Sequence, residues 1–312
     1  MPLDYTFRPI EPTEQTLAES FWKRLFAPAD DHFYRYFQMD PWYKPGDTMG
    51  AFFGSRLVST AHLCRRPVEI DEERIWMAGL ACIGTLPEHE KKGPKRELLL
   101  KMTNQLETNR LGFGLALGSD LKELKSSGWV NFITPEVTLR IKNQPETPKL
   151  VDDFPISAMS LIKLHHQSFH YPLFFRRPEK YFNNWCEYYW SRDVWNAVIL
   201  GIVDGGYAVI TVPSGDEAPV WLVELRAVGR LAEDYLLRGV VSWALRKGKI
   251  VVCMDFIPPK TGLDLLRKMG DVRVIKTQRG MIRNLNLPDK QFRSILDMYE
   301  TGKAVWWASD RF

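Results

Sequence analysis

The residues best equipped for chemistry lie between Ala81 and Leu99, in the segment ACIGTLPEHEKKGPKRELL. A strand-like apolar run ends there in a glycine turn, and Pro94 stands where a helix tolerates it, at its first position. Unpaired backbone N–H groups in such a turn, with the positive dipole end of the following helix, suit an anion. Lys91, Lys92, Lys95 and Arg96 add cations at the same place, Glu90 adds an anion, and Pro94 removes one N–H. The plainer reading of these residues is a solvated helix start.

Other groupings are weaker. His166 and His170, in KLHHQSFHY with His165, stand at i and i+4, a spacing that can hold a metal on one helix face. No Asp or Glu lies at HExxH spacing, so packed or solvated histidines are expected and no metal. Cys64, Cys82, Cys186 and Cys253 form no CxxC, which argues against a disulfide framework and a zinc knuckle. They read as reduced thiols, with Cys82 (LACIG) and Cys253 (IVVCMDF) inside apolar runs. Two aromatic runs, DDHFYRYFQMDPWY from Asp30 and HYPLFFRRPEKYFNNWCEYYW from His170, suit core packing or, for the first, a ligand wall.

The positioning elements follow from period. A short strand (3–10), a helix (13–26), three strands (48–54, 57–64, 74–86) and a helix with Leu98, Leu99, Met102 and Leu106 on one stripe come first. A strand (113–118), a short helix (119–127) stopped by Gly128, and a strand (129–141) complete this set. Residues 143–155 contain three prolines and read as a linker. The same grammar then recurs about 140 residues on. A helical region (156–190) leads to strands (197–203, 207–212, 220–225), a helix (231–247), a strand (250–256), a helix (262–269) and a strand (272–285). The expected organisation is two domains, 1–145 and 155–312.

Composition excludes several classes. At 45% hydrophobic and 26% charged, the 312 residues describe a folded globular chain. No apolar run reaches the roughly 18 residues of a membrane span, and MPLDYTFRP is no secretory signal, so the expected compartment is the cytoplasm. Lys and Arg match Asp and Glu at 20 each in residues 1–150, and stand at 22 to 18 beyond, too even a spread for a nucleic-acid surface.

The segment from Ala81 to Leu99 resembles the acetyl-CoA loop of the GNAT N-acetyltransferase superfamily. Thr85, Pro87 and Gly93 fall where tandem-GNAT proteins of the enhanced-intracellular-survival type have Thr-x-Pro-x-x-Arg-x-x-Gly, and RRPEKYFNNW and WWASDRF also resemble that subgroup. The resemblance spans nearly the whole chain. It implies an α/β fold of mixed sheets in two GNAT-like domains, without the sterol-carrier-like domain that many such proteins append. It also implies an acyl-CoA, acetyl-CoA in the first instance, as co-substrate, and as acceptor an amine of a small molecule or peptide. No nucleic-acid or membrane partner is implied, and homo-oligomers are compatible with it.

By the same resemblance Leu80, Ala81, Cys82, Ile83, Thr85, Lys91, Lys92, Gly93, Lys95 and Arg96 would hold the cofactor, its diphosphate on the turn. A backbone N–H near Leu80 to Ile83 would hold the oxyanion. Ser119 and Asp120 would edge the cleft as base, with the terminal carboxylate of Phe312 a further base candidate. Asp30, Asp31, Phe33, Tyr34 and Tyr36, with Asp40, would form the acceptor wall. The chain departs from the pattern at Glu90, in the Arg or Gln position, at Pro94, at Lys95, which replaces a small residue, and at Leu124, where the family often has a general-acid Tyr. These departures leave open a degenerate domain that binds without transfer, or non-acyl chemistry. Arg226 to Gly229 superficially repeats the motif, but Glu233 and Asp234 would compete with an anion, so a ligand-free second copy is expected.

Overall fold

Residues 48–85, in which branched and aromatic side chains recur, form three consecutive antiparallel strands. The computed structural model describes residues 4–26, 32–70, 73–118, 121–146, 151–152, 157–168, 171–183, 197–213, 215, 217–307 and 310. In chain order the elements are β1 (Tyr5–Pro9), α1 (Gln15–Phe26), α2 (Arg35–Gln38), β2 (Thr48–Phe53), β3 (Arg56–Ile70), β4 (Glu73–Thr85), α3 (Pro94–Thr108), β5 (Phe113–Leu117), β6 (Val130–Ile141), β7 (Val151–Asp152) and α4 (Ala158–Gln167). There follow β8 (Leu173–Phe175), α5 (Glu179–Tyr181), β9 (Ala197–Ile202), β10 (Gly206–Thr211), β11 (Val220–Ala227), α6 (Arg230–Arg246), β12 (Val251–Met254), α7 (Lys260–Met269), β13 (Gly270–Asn284) and α8 (Asp289–Thr301).

Two compact units result, one of residues up to 132 with 278–294, the other of 133–277 with 295–311. In the first, strands run in the order β1-β2-β3-β4-β5, antiparallel except for the parallel β4–β5 pair. The second half of β13 closes this sheet, antiparallel to β5 from Gly280–Leu117 to Asn284–Phe113. Gly280 is required there, since a Cβ would stand 1.9 Å from the Ala116 carbonyl oxygen. The second unit repeats the plan. Its order is β7-β9-β10-β11-β12, β11 and β12 are parallel, and the second half of β6 closes it antiparallel to β12.

The expected division between 143 and 155 followed chain order, whereas each closing strand belongs to a long strand that continues into the other unit's residues. Two local differences have simple causes. The first helix begins at Gln15 because Glu11 and Glu14 cap a preceding 3-10 turn, Glu11 N–H donating to Glu14 Oε2 at 3.1 Å. The helical region expected over 156–190 is interrupted by β8, since Pro172 and Pro178 flank it and cannot continue a helix; residues 184–196 lie outside the described ones.

In the first unit α3 lays Leu98, Leu99, Met102 and Leu106 on the sheet, all fully buried with Leu63, Ala78, Leu80 and Ala116. In the second, α6 buries Leu236, Leu237, Val240 and Val241 on β10 and β11. Beside that core lies a sealed polar cluster. Arg177 donates to both oxygens of Glu224, at 2.7 and 2.9 Å, and to both of Asp310, at 2.7 and 2.9 Å. The Tyr207 hydroxyl and Arg226 Nε also donate to Glu224 Oε1, and Arg177 N–H donates to His165 Nε2 at 3.3 Å. Two cations face two carboxylates, which makes burial tolerable. Replacing Arg177 by Met should therefore cost about 3–5 kcal/mol, because two buried carboxylates would keep their charge and lose most of their donors. Urea unfolding followed by circular dichroism checks this; a loss below about 1 kcal/mol would contradict it.

Candidate active site

The site is built on one extra residue in β4. Thr60 pairs with Gly84 and His62 with Ala81, so Cys82 and Ile83 together oppose Ala61. This is a β-bulge, and Cys82 takes a φ of 49°, a left-handed conformation rare for any residue but glycine. The bulge is pinned from beneath. Buried Trp22 Nε1 donates to Thr60 Oγ1 at 2.8 Å, and Thr60 Oγ1 donates to the Cys82 carbonyl at 2.9 Å. One step on, Ser59 Oγ donates to the Gly84 carbonyl at 2.9 Å and lies 2.8 Å from Thr85 Oγ1. The parallel β4–β5 pairing runs from Met77–Phe113 only to Leu80–Ala116, so the strands part company where the bulge begins.

Beyond Thr85 the chain makes a 3-10 turn (Pro87–His89) and enters α3 through Lys91 at φ 60° and Gly93 at φ 96°. A Cβ on Gly93 would meet nothing within 4 Å, so the space above it is open. The first bond of α3 runs from Glu97 N–H to the Gly93 carbonyl at 3.2 Å, and the amides of Lys95 and Arg96 precede it. These parts enclose a cavity of about 560 Å³ lined by Leu25, Phe26, Ile83, Gly84, Thr85, His89, Glu90, Lys91, Gly93, Pro94, Lys95, Arg96, Lys122 and Glu123. Four cations and two carboxylates line it. One cation is paired, Lys95 Nζ lying 3.4 Å from Glu123 Oε2 with both side chains largely buried.

Of the residues expected to hold a cofactor, Ile83, Thr85, Lys91, Gly93, Lys95 and Arg96 line this cavity. Leu80 and Ala81 are instead buried beneath it, because their place in β4 turns them into the core or toward β3. Lys92 is exposed beside it. Cys82 is not among the residues lining the cavity, and burial pushes its thiol up to about 12. Cys64, Cys82 and Cys253 are free thiols.

The acceptor wall is different from the expected one. Phe33 and Tyr36 are buried against Trp22, at ring distances of 5.6 and 5.8 Å, and line no part of the cavity. Asp40 is buried and bonded to Arg66 at 2.7 Å, so its charge is already answered. Tyr34 is half-buried in the same turn. Sequence reasoning missed Leu25 and Phe26, which end α1 at the cavity, and Lys122 and Glu123 after β5. Phe26 carries a signal in hindsight, as a large aromatic left 42% exposed.

His89 is buried and lines the cavity. Its Nδ1 lies 2.9 Å from the Tyr5 hydroxyl, and Tyr5 and Phe53 pack on the ring. Burial, and next the Lys92 charge, lower its pKa, so the ring is neutral at pH 7. Leu124, in the position of the missing Tyr, is wholly buried in the core. Asp30, Asp31, Ser119, Asp120 and Phe312 lie outside the described residues, as does His170.

Residues 6–130 match the family model described as an acetyltransferase (GNAT) domain. The fold of the chain is similar to that of Eis1 from Mycobacterium abscessus, with a TM-score of 0.65 at 15% identity over 90% of this chain and 74% of that one. It is similar also to a protein of Enterococcus faecalis V583 described as a probable N-acyltransferase, with a TM-score of 0.68 at 15% identity over 91% and 73%. A GCN5-related N-acetyltransferase from Kribbella flavida gives 0.62 at 17% identity over 90% and 71%. No curated protein sequence matches the chain.

The bulge itself can be tested. Thr60→Val keeps the shape but strands the Trp22 N–H and the Cys82 carbonyl, and should cost about 1–3 kcal/mol. Denaturant unfolding measures it, and a neutral result would show that the bulge does not depend on Thr60.

Proposed function

We propose that the first unit binds an acyl-CoA, acetyl-CoA in the first instance, and transfers its acyl group to an amine of a small molecule or peptide. The observation that carries this reading is the open cradle at Gly93, where a left-handed turn, the N-terminal end of α3 and the Lys91, Lys95, Lys122 and Arg96 charges meet in one cavity. These residues fit a diphosphate. Against it stand Glu90 on the same wall and the N–H absent at Pro94, so affinity is expected to be moderate.

When bound, the thioester supplies an acyl carbon open to direct attack, and no covalent enzyme intermediate is required. The protein's contribution is position and polarity. Cys82 and Ile83 have no partner in the β3 register, which leaves backbone N–H groups at the bulge as oxyanion donors. Leu25 and Phe26 make an apolar wall that excludes water. With Leu124 in the general-acid position, the thiolate leaves without a phenolic proton donor and is protonated from water. Ser119, Asp120 and the Phe312 carboxylate are proposed as bases.

Titration calorimetry with acetyl-CoA tests the reading, with Gly93→Trp and Glu90→Arg as paired variants. Gly93→Trp should lose binding at a stability cost of about 1–2 kcal/mol, the strain of a left-handed conformation in a residue with a Cβ. Glu90→Arg should tighten binding roughly tenfold at low salt and less at moderate salt. Absence of binding in parent and Glu90→Arg alike would move the assignment to a degenerate domain or non-acyl chemistry.

A further inference from the structure

Among the cations lining the first unit's cavity, Lys95 is held by a carboxylate of the same cavity. It lies in the first turn of α3, and its Nζ is 3.4 Å from Glu123 Oε2 on the segment after β5. The two side chains are only 18% and 24% exposed, and both residues line the cavity. Glu123 Oε2 is sealed from solvent, yet among the described residues no hydrogen bond reaches it. The pair is thus held by charge without the N–H donation that makes such pairs strong. Glu97, the acid in the first turn of α3, is placed differently. It lies 3.5 Å from Lys101 in an exposed i,i+4 pair and is not among the residues lining the cavity.

The place of this contact gives it a role. β4 and β5 cease to pair beyond Leu80–Ala116; α3 follows β4, and the turn Lys122–Ser127 follows β5. The Lys95–Glu123 contact therefore ties together the two sides of the gap. A diphosphate on the Gly93 turn needs Lys95 as a countercharge, and one ammonium group shared between phosphate and carboxylate serves neither fully. We propose that Glu123 is a displaceable latch, which holds Lys95 across the gap when no anion is bound and yields it to the diphosphate of the co-substrate. Glu123 thereby sets how tightly the co-substrate is held. The inference rests on the acyl-CoA reading and adds the regulation of that site; Glu123, acting through Lys95, is a positioning residue.

Two consequences separate a latch from a general field of charge. Removing the Glu123 charge frees Lys95, whereas Glu97→Gln removes the same charge from the start of α3 and leaves Lys95 held. Salt weakens the internal pair as well as the contact with the ligand, so in the parent the two losses partly cancel. The parent's affinity should therefore fall less steeply with salt than that of Glu123→Gln. A merely structural Glu123 would move stability and leave that slope unchanged.

The experiment is calorimetric titration of the full chain, as parent, Glu123→Gln and Glu97→Gln, with acetyl-CoA and with 3′-dephospho-CoA, which keeps the diphosphate, at low and moderate salt. Glu123→Gln should bind both ligands about fivefold tighter at low salt, the upper end of what a partly exposed ion pair is worth, and with the steeper salt dependence. Glu97→Gln should stay within about twofold of the parent. Binding by Glu123→Gln no tighter than the parent's, equal gains in the two variants, parallel salt slopes, or a gain lost with 3′-dephospho-CoA each overturns the latch and leaves the acyl-CoA reading standing. Absence of acetyl-CoA binding in the parent and both variants overturns that reading, and the latch with it. Circular dichroism checks that each variant is folded, and Glu123→Ala takes the place of a Gln variant that is not.

Discussion

The first unit depends on a single surplus residue in β4. Strand pairing demands one residue opposite one, and placing Cys82 and Ile83 opposite Ala61 breaks that rule. The break costs left-handed strain at Cys82 and takes backbone groups out of the ladder. It is sustained because buried Thr60 donates to the distorted Cys82 carbonyl while buried Trp22 donates to the Thr60 hydroxyl oxygen. In exchange the β4 and β5 ends separate, and the following turn, the end of α1 and the segment after β5 line the resulting gap. The cavity and the exposed turn at Gly93 follow from that separation.

Shape and charge contribute unequally to this site. The backbone supplies a cradle whatever the side chains are, so it survives Glu90 and Pro94. The side chains tune it: Lys95 is drawn to Glu123, and a phosphate in the cradle would compete with that carboxylate for the same cation. His89, by contrast, is held neutral by burial and packed on Tyr5 and Phe53, which makes it a wall more than a charge.

Much of the frame was legible because its signals are local. Period and punctuation reveal β2, β3, β4 and the α3 stripe, and Pro94 with Gly93 marks the helix start. What was hidden depends on partners distant in sequence. Nothing in residues 272–285 says that their second half closes the first unit's sheet, since a strand's pairing is decided by the edge it meets. Phe33 and Tyr36 look like a ligand wall in sequence; only the placement of Trp22 and His62 makes them core, where His62 is neutral with its pKa lowered to about 3. Glu11 caps the first helical turn, and Glu14, its partner there, is also held by Arg8.

The second unit shows how the same frame can be given another chemistry. It too has parallel strands, β11 and β12, a long helix after the first of them, and an extra residue at Val223 where Val209 pairs with Glu224 and Ile210 with Leu222. Here, however, the helix is entered through Gly229 with Glu233 and Asp234 in its opening turns, and the strand directs Glu224 into a sealed cluster with Arg177 and Arg226. A diphosphate needs the helix end free of competing anions, and this one is not. Repetition of the backbone plan is thus no argument for repetition of ligand, because the plan sets where a cavity opens while side chains in the first helical turns set the charges around it.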